Sequence, residues 1–136
     1  MNRITALFIY EDLDEPLAFW RDRFGFPVTV EVPTDPGKEA AGQKPGFVMM
    51  EAGGAQLMLQ SVASVELDAP GLLAGGIGKE GAALYIEVED LDTMIEKAAG
   101  CEVILDERVS FYGMREFGVR APGGVCVTFA QRVGAE

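Results

Sequence analysis

No histidine occurs in this 136-residue chain. A Cys–His nucleophile pair is therefore excluded, and the commonest side-chain ligand of catalytic zinc, iron and nickel is missing. Cysteine is scarce too. Cys101 and Cys126 each fall in an expected strand and read as reduced, packed thiols. No run approaches the ~20 apolar residues of a membrane span. The apolar stretch ITALFI is too short to resemble a secretory signal and is followed almost at once by acids. The expected location is the cytoplasm, with no membrane partner. Basic residues are few: 11 Lys and Arg against 22 Asp and Glu leave a net charge of −11. That charge repels phosphate-rich partners, so no nucleic acid partner is expected. It attracts cationic small molecules, although acids also serve solubility alone.

What the chain does have is a repeat. Glu11-Asp12-Leu13-Asp14 returns as Glu89-Asp90-Leu91-Asp92. A short run of apolar, β-branched and aromatic residues precedes each copy, at 4–10 and at 82–88, and reads as a strand. A helical pattern follows each copy. Leu17, Trp20 and Phe24 share one face of the first, with Asp14 as N-cap, Pro16 in the first turn and Gly25 as terminator. Leu91, Ile95 and Ala98 or Ala99 share a face of the second, with Asp92 as cap and Gly100 at the end. The repeated letters thus mark a strand-to-helix junction, with acids where the helix dipole favours them.

The likeness continues. Strand patterns follow at 27–33, 46–52 and 55–62 in the first half, and at 101–109, 113–121 and 125–133 in the second. Gly53-Gly54 and Pro122-Gly123-Gly124 divide the last pair in each half. The expected class is α+β, as one domain over 1–136. Two tandem βαβββ modules, 3–62 and 81–133, are joined by a linker at 63–80. A unit of roughly 60 residues buries little surface alone, so each module is expected to need the other.

A tandem βαβββ repeat resembles the vicinal oxygen chelate superfamily, which holds glyoxalase I, extradiol dioxygenases, fosfomycin-resistance enzymes and bleomycin-resistance proteins. The resemblance spans about residues 3–132. EDLDEPLAFWRDRFGF (11–26) and YGMREFGVRAPGGVCVTFAQ (112–131) are most similar to the metal-free bleomycin-resistance branch. Two departures are visible. The final hairpin reads Ala121-Pro122-Gly123-Gly124-Val125, without the family's usual side-chain acceptors, and the second helix is shorter than the first. The resemblance implies an open, barrel-like crevice and a homodimer. It also implies a divalent metal on four strands in the family's enzymes. Those positions fall here at Thr5, Met58, Ala83 and Thr128, none of which is a good ligand. No metal and no cofactor are therefore expected. A displaced carboxylate site using Glu51, Glu87 or Glu116 is the alternative.

Strand parity, carried from those positions, sets the expected crevice lining. Leu7 follows Thr5. Tyr85 and Glu87 follow Ala83. Gln56 and Gln60 flank Met58. Phe47 and Met49 come from strand 46–52, Glu116 from strand 113–121, and Tyr112 from the loop before it. The candidate ligand-binding residues are Leu7, Phe47, Met49, Met58, Tyr85, Glu87, Tyr112 and Glu116, with no catalytic residue assigned. Aromatic and Met walls suit a flat ligand, and an acid inside them selects a positive group. The first reading is a protein that sequesters a planar, cationic small molecule such as an antibiotic. The second is a glyoxalase- or dioxygenase-like enzyme with a displaced metal site. The third is an interaction module whose dimer surface is its function.

Overall fold

The two Glu-Asp-Leu-Asp junctions repeat in structure as they do in sequence. The computed structural model describes residues 5–75 and 82–134. Glu11, Asp12 and Asp14 are exposed and Leu13 is buried; Glu89, Asp90 and Asp92 are exposed and Leu91 is buried. The second letter of each copy holds backbone. Asp12 Oδ1 accepts the Asp14 N–H at 2.9 Å, and Asp90 caps its helix by accepting the Thr93 N–H at 3.1 Å. The fourth letter pairs with a cation, Asp14 with Lys44 and Asp92 with Arg115, both at 2.8 Å. This corrects the expected caps: Asp14 and Asp92 lie inside the first turn rather than at its entry. The reason is geometric. Asp92 is the second residue of its helix, past the position from which a side chain reaches the Thr93 amide, whereas Asp90, as N-cap, reaches it.

Strands β1 (Ala6–Tyr10), β2 (Val28–Pro33), β3 (Pro45–Ala52) and β4 (Ala55–Ser61) form one sheet in the order β1-β4-β3-β2. Strands β5 (Ala83–Glu87), β6 (Val103–Val109), β7 (Met114–Arg120) and β8 (Cys126–Arg132) form a second in the order β5-β8-β7-β6. In each, the first strand runs parallel to the fourth and the remaining pairs are antiparallel. The architecture is α+β, two tandem βαβββ modules. Gly53 and Gly54 both take positive φ, 55° and 84°, as a two-residue hairpin requires. Cys101 falls just outside β6, while Cys126 lies in β8; both are free thiols.

Cross-strand rows show what parity does. In the first sheet Phe8, Leu59 and Val48 are register partners, and all are buried; the adjoining row Leu7, Met58 and Met49 is half-buried. In the second sheet Ile86, Phe129 and Phe117 make the covered row, and Tyr85, Thr128 and Gly118 the adjoining one. The first helix begins as α1 (Asp14–Leu17) and then widens into a π-turn at Ala18–Arg23. Phe24 N–H reaches back to Phe19 C=O at 3.2 Å. The widening brings Phe19 inward beside Trp20 and Phe24, which α-helical spacing alone did not anticipate, and the rings meet edge to face at 5.0 Å.

The stretch expected as linker carries a helix, α2 (Val62–Asp68), capped by Ser61 and followed by a 3₁₀ segment at Pro70–Gly75. α2 packs against β1, β3 and β4. Residues 76–81, the remainder of that linker and the start of the second module, lie outside the described residues, as do positions 3 and 4 of the first. The chain divides into two units, 1–78 and 79–136. Helix α3 (Leu91–Lys97) packs on β7 and β8 of the second, with Leu91 and Ala98 buried. Among the described residues no helix is long and apolar enough to cross a membrane.

Candidate functional site

The four positions at which the resemblance implies a metal carry no side chains suited to one. Thr5 donates its hydroxyl to Gln56 Oε1 at 3.1 Å. Met58 offers a neutral thioether amid the Leu7–Met58–Met49 row. Ala83 has no donor atom, and Thr128 a single weak one. Two hydroxyls and a thioether do not make a cage for a hard or borderline cation. The carboxylate alternative fares no better. Among the described residues there is no group of three or more His, Cys, Asp or Glu side chains placed to hold an ion. Glu51 is bonded by Gln56, and Glu116 by Tyr85, Tyr112 and Arg108.

Glu116 is the most informative residue of the second unit. Its side chain is 1% exposed, on the row Glu87–Ala130–Glu116. Oε2 accepts the Tyr85 hydroxyl at 2.5 Å and also that of Tyr112; Oε1 accepts the Arg108 Nε–H at 3.0 Å. Sequence reasoning brings Tyr85, Tyr112 and Glu116 into one site, and the structure places these three together. Arg108 is the partner it omits. Counting back from the turn would have found it, because Arg108 stands opposite Glu116 in the β6–β7 register. The consequence is a correction in charge. Glu116 is not an open carboxylate awaiting a cation, since Arg108 neutralises it.

The electrostatics follow from that geometry. Hydrogen bonds from Tyr112, Tyr85 and Arg108 outweigh burial and hold the Glu116 carboxyl below its usual range. Tyr85 moves the other way. Its ring is half exposed, but its hydroxyl lies against the buried carboxylate. Loss of water there, then the bond to Glu116, pushes its ionisation well above the ordinary phenol range. The Tyr85 phenol thus stays a protonated donor. Glu87 is exposed on the same row, without an assigned role.

In the first unit the candidates separate. Leu7, Met58 and Met49 form one half-buried row. Phe47 stands two rows away on the same face, opposite Gln60, and opens into a cleft of about 480 Å³. Val32, Phe47 and Leu67 give it apolar walls. Gln60 and Ser64, 5% and 7% exposed, lie at its floor, and Asp35 and Asp68 line its more open part. Among the described residues no basic side chain lines it. The cleft exists because α2 lies over β3 and β4, so the chain segment expected as linker supplies Ser64, Leu67 and Asp68. Its signal was faint: Ser61-Val62-Ala63-Ser64 begins a helix with a capping serine, but only seven residues follow before Ala69 and Pro70 end it.

A family model described as the Glyoxalase/Bleomycin resistance protein/Dioxygenase superfamily matches residues 2–129. No curated protein sequence matches the chain. Among solved structures, TioX from Micromonospora sp. ML1 is similar over 98% of this chain and 100% of its own, at 18% identity and a TM-score of 0.71. A glyoxalase/bleomycin resistance protein/dioxygenase from Nocardioides is similar over 100% of this chain and 87% of its own, at 18% identity and a TM-score of 0.69. A bleomycin-binding protein in complex with bleomycin is similar over 97% of this chain and 99% of its own, at 14% identity and a TM-score of 0.58. At these identities the likeness is one of fold.

Proposed function

This chain belongs to the glyoxalase/bleomycin resistance protein/dioxygenase superfamily, and on that premise we propose that it binds and sequesters a small planar molecule without the help of a metal. The observation that carries the reading is the cleft of the first unit. Its volume, about 480 Å³, is in the range of small-molecule sites, and its mixture of apolar wall and few polar groups is theirs too. Phe47 supplies a ring for stacking. A positive ligand is favoured by Asp68, by Asp35, which holds the exposed Lys38 only loosely at 3.8 Å, and by the net charge of −11, but not by Glu116. A bleomycin-binding protein of this fold, in complex with bleomycin, is a supporting analogy for small-molecule binding.

Proflavine, a planar cation, is a suitable probe, with acridine at pH 8 as its neutral counterpart. Protein dialysed against a chelator is expected to bind proflavine saturably and more tightly than acridine. The difference should shrink as salt rises, since the acids of the cleft border are exposed to screening. Added zinc is expected to leave both titrations unchanged. A requirement for zinc, or no saturable binding of either dye, would contradict the proposal.

A further inference from the structure

The floor of the cleft has hydrogen-bonding capacity to spare, and the spare groups specify a complement. Gln60 Nε2 donates one N–H to Ser64 Oγ at 3.0 Å, and the Ser64 backbone N–H goes to Ser61 Oγ at 3.2 Å. A primary amide has two N–H donors and a carbonyl acceptor, and a hydroxyl has one proton to give. Gln60 therefore retains one N–H and its carbonyl oxygen, and Ser64 its hydroxyl proton, with no other partner among the described residues. These two side chains are over nine-tenths buried in a cleft whose apolar walls are Val32, Phe47 and Leu67. Among the described residues neither side chain holds a sealed atom without a partner, so the spare groups meet water in the open cleft, and a ligand that displaces that water must offer matching groups.

We infer that the cleft recognises its ligand by an edge carrying an N–H donor beside a C=O or ring-nitrogen acceptor, as in a cyclic amide or an amino-substituted heterocycle. The inference rests on the reading of this cleft as the ligand site, and names the class of ligand. A carboxamide side chain pairs in two places with such an edge, as Gln and Asn do with the donor and acceptor of adenine. The Ser64 hydroxyl, already accepting from Gln60, fixes the amide and gives a further donor to the ligand acceptor. Phe47 lies opposite Gln60 across the β3–β4 pair, so a ring held at its edge by the amide has an aromatic face within the same cleft. A site that demands a donor discriminates strongly against an analogue lacking it, because its own acceptor is then left unpaired.

The test uses the full chain and three probes: 2-quinolone, a planar cyclic amide; N-methyl-2-quinolone, in which the donor is blocked; and proflavine. Calorimetric titration is expected to give 2-quinolone roughly tenfold tighter binding than its N-methyl derivative, about the cost of one unpaired buried polar group. Gln60→Leu is expected to remove that ratio, and Ser64→Ala to reduce it, with thermal midpoints measured on both to establish folding. The wild-type ratio stands as a test even where a variant does not fold. Equal affinities of the two quinolones for wild type overturn the inference, and the cleft reading survives if proflavine still binds. Failure of all three probes to bind overturns both.

Discussion

Glu116→Ala is expected to cost about 2–4 kcal/mol of folding stability, read from denaturant unfolding, and to be among the most damaging single changes in the second unit. The estimate follows from three charge-assisted bonds to a side chain 1% exposed. Each such bond contributes about 1.5–3 kcal/mol. The total falls short of three times that, because Tyr85, Tyr112 and Arg108 are all about half exposed and find water once released. Glu116→Gln keeps the shape and loses only the charge, so about 1–2 kcal/mol is expected. Coupling to Arg108 supplies a check. In a double-mutant cycle with Arg108→Met, the Glu116→Gln change should cost less than in wild type, because the ion pair is already gone.

The same cluster makes stability depend on pH in a definite direction. The Glu116 carboxyl is held below its unfolded value, so the unfolded state binds its proton first as pH falls. Its stabilising contribution is complete above the ordinary carboxylate range and is lost as pH drops through the lowered folded value. Wild type should therefore lose stability on acidification more steeply than Glu116→Gln, the two curves converging in acid. Parallel curves across that window would mean that the carboxylate is not charged and bonded as described.

Gly46→Val is the second change with a large expected effect, about 3 kcal/mol or more, since it forces side-chain atoms into backbone. A Cβ at this position would sit 2.6 Å from Thr34 Cα and 2.8 Å from Ser64 Cβ. The backbone at Gly46 is not left-handed, so the penalty is steric. Gly54 gives the contrast: φ is +84° there and nothing lies within 4 Å, so Gly54→Ala costs only the conformational strain of about 1–2 kcal/mol. Thr34 and Ser64 both line the cleft. Gly46→Val should thus weaken proflavine binding as well as stability, whereas Gly54→Ala should change stability alone. Intact binding by a folded Gly46→Val protein would show that α2 does not shape the site.

How much of this was legible in the sequence varies with how local the cause is. The Glu-Asp-Leu-Asp repeat located both strand-to-helix junctions, because a buried leucine between two polar acids is a local pattern. Two-residue alternation separated Phe8 from Leu7 and Phe117 from Glu116. The caps shifted because a helix begins one or two residues from where its periodicity is first visible. Arg108 was missed for a different reason. Its role depends on the register across a turn, which individual strand patterns do not contain. The cleft was least legible of all. Phe47 and Gln60 were expected inward, but Ser64, Leu67 and Asp68 come from seven helical residues in a stretch whose glycines and proline read as linker. A helix so short has too few turns for periodicity to stand out, and packing on β1, β3 and β4, not propensity, sustains it.

The central claim is that a planar ligand occupies the first unit's cleft without a metal. Its most direct test is to map proflavine on isotope-labelled, chelator-treated protein by amide chemical shifts. Shifts concentrated at Val32, Phe47, Gln60, Ser64 and Leu67, saturating with the dye and unaltered by zinc, are the predicted result. Shifts that leave these residues untouched, or that appear only once zinc is added, would contradict it.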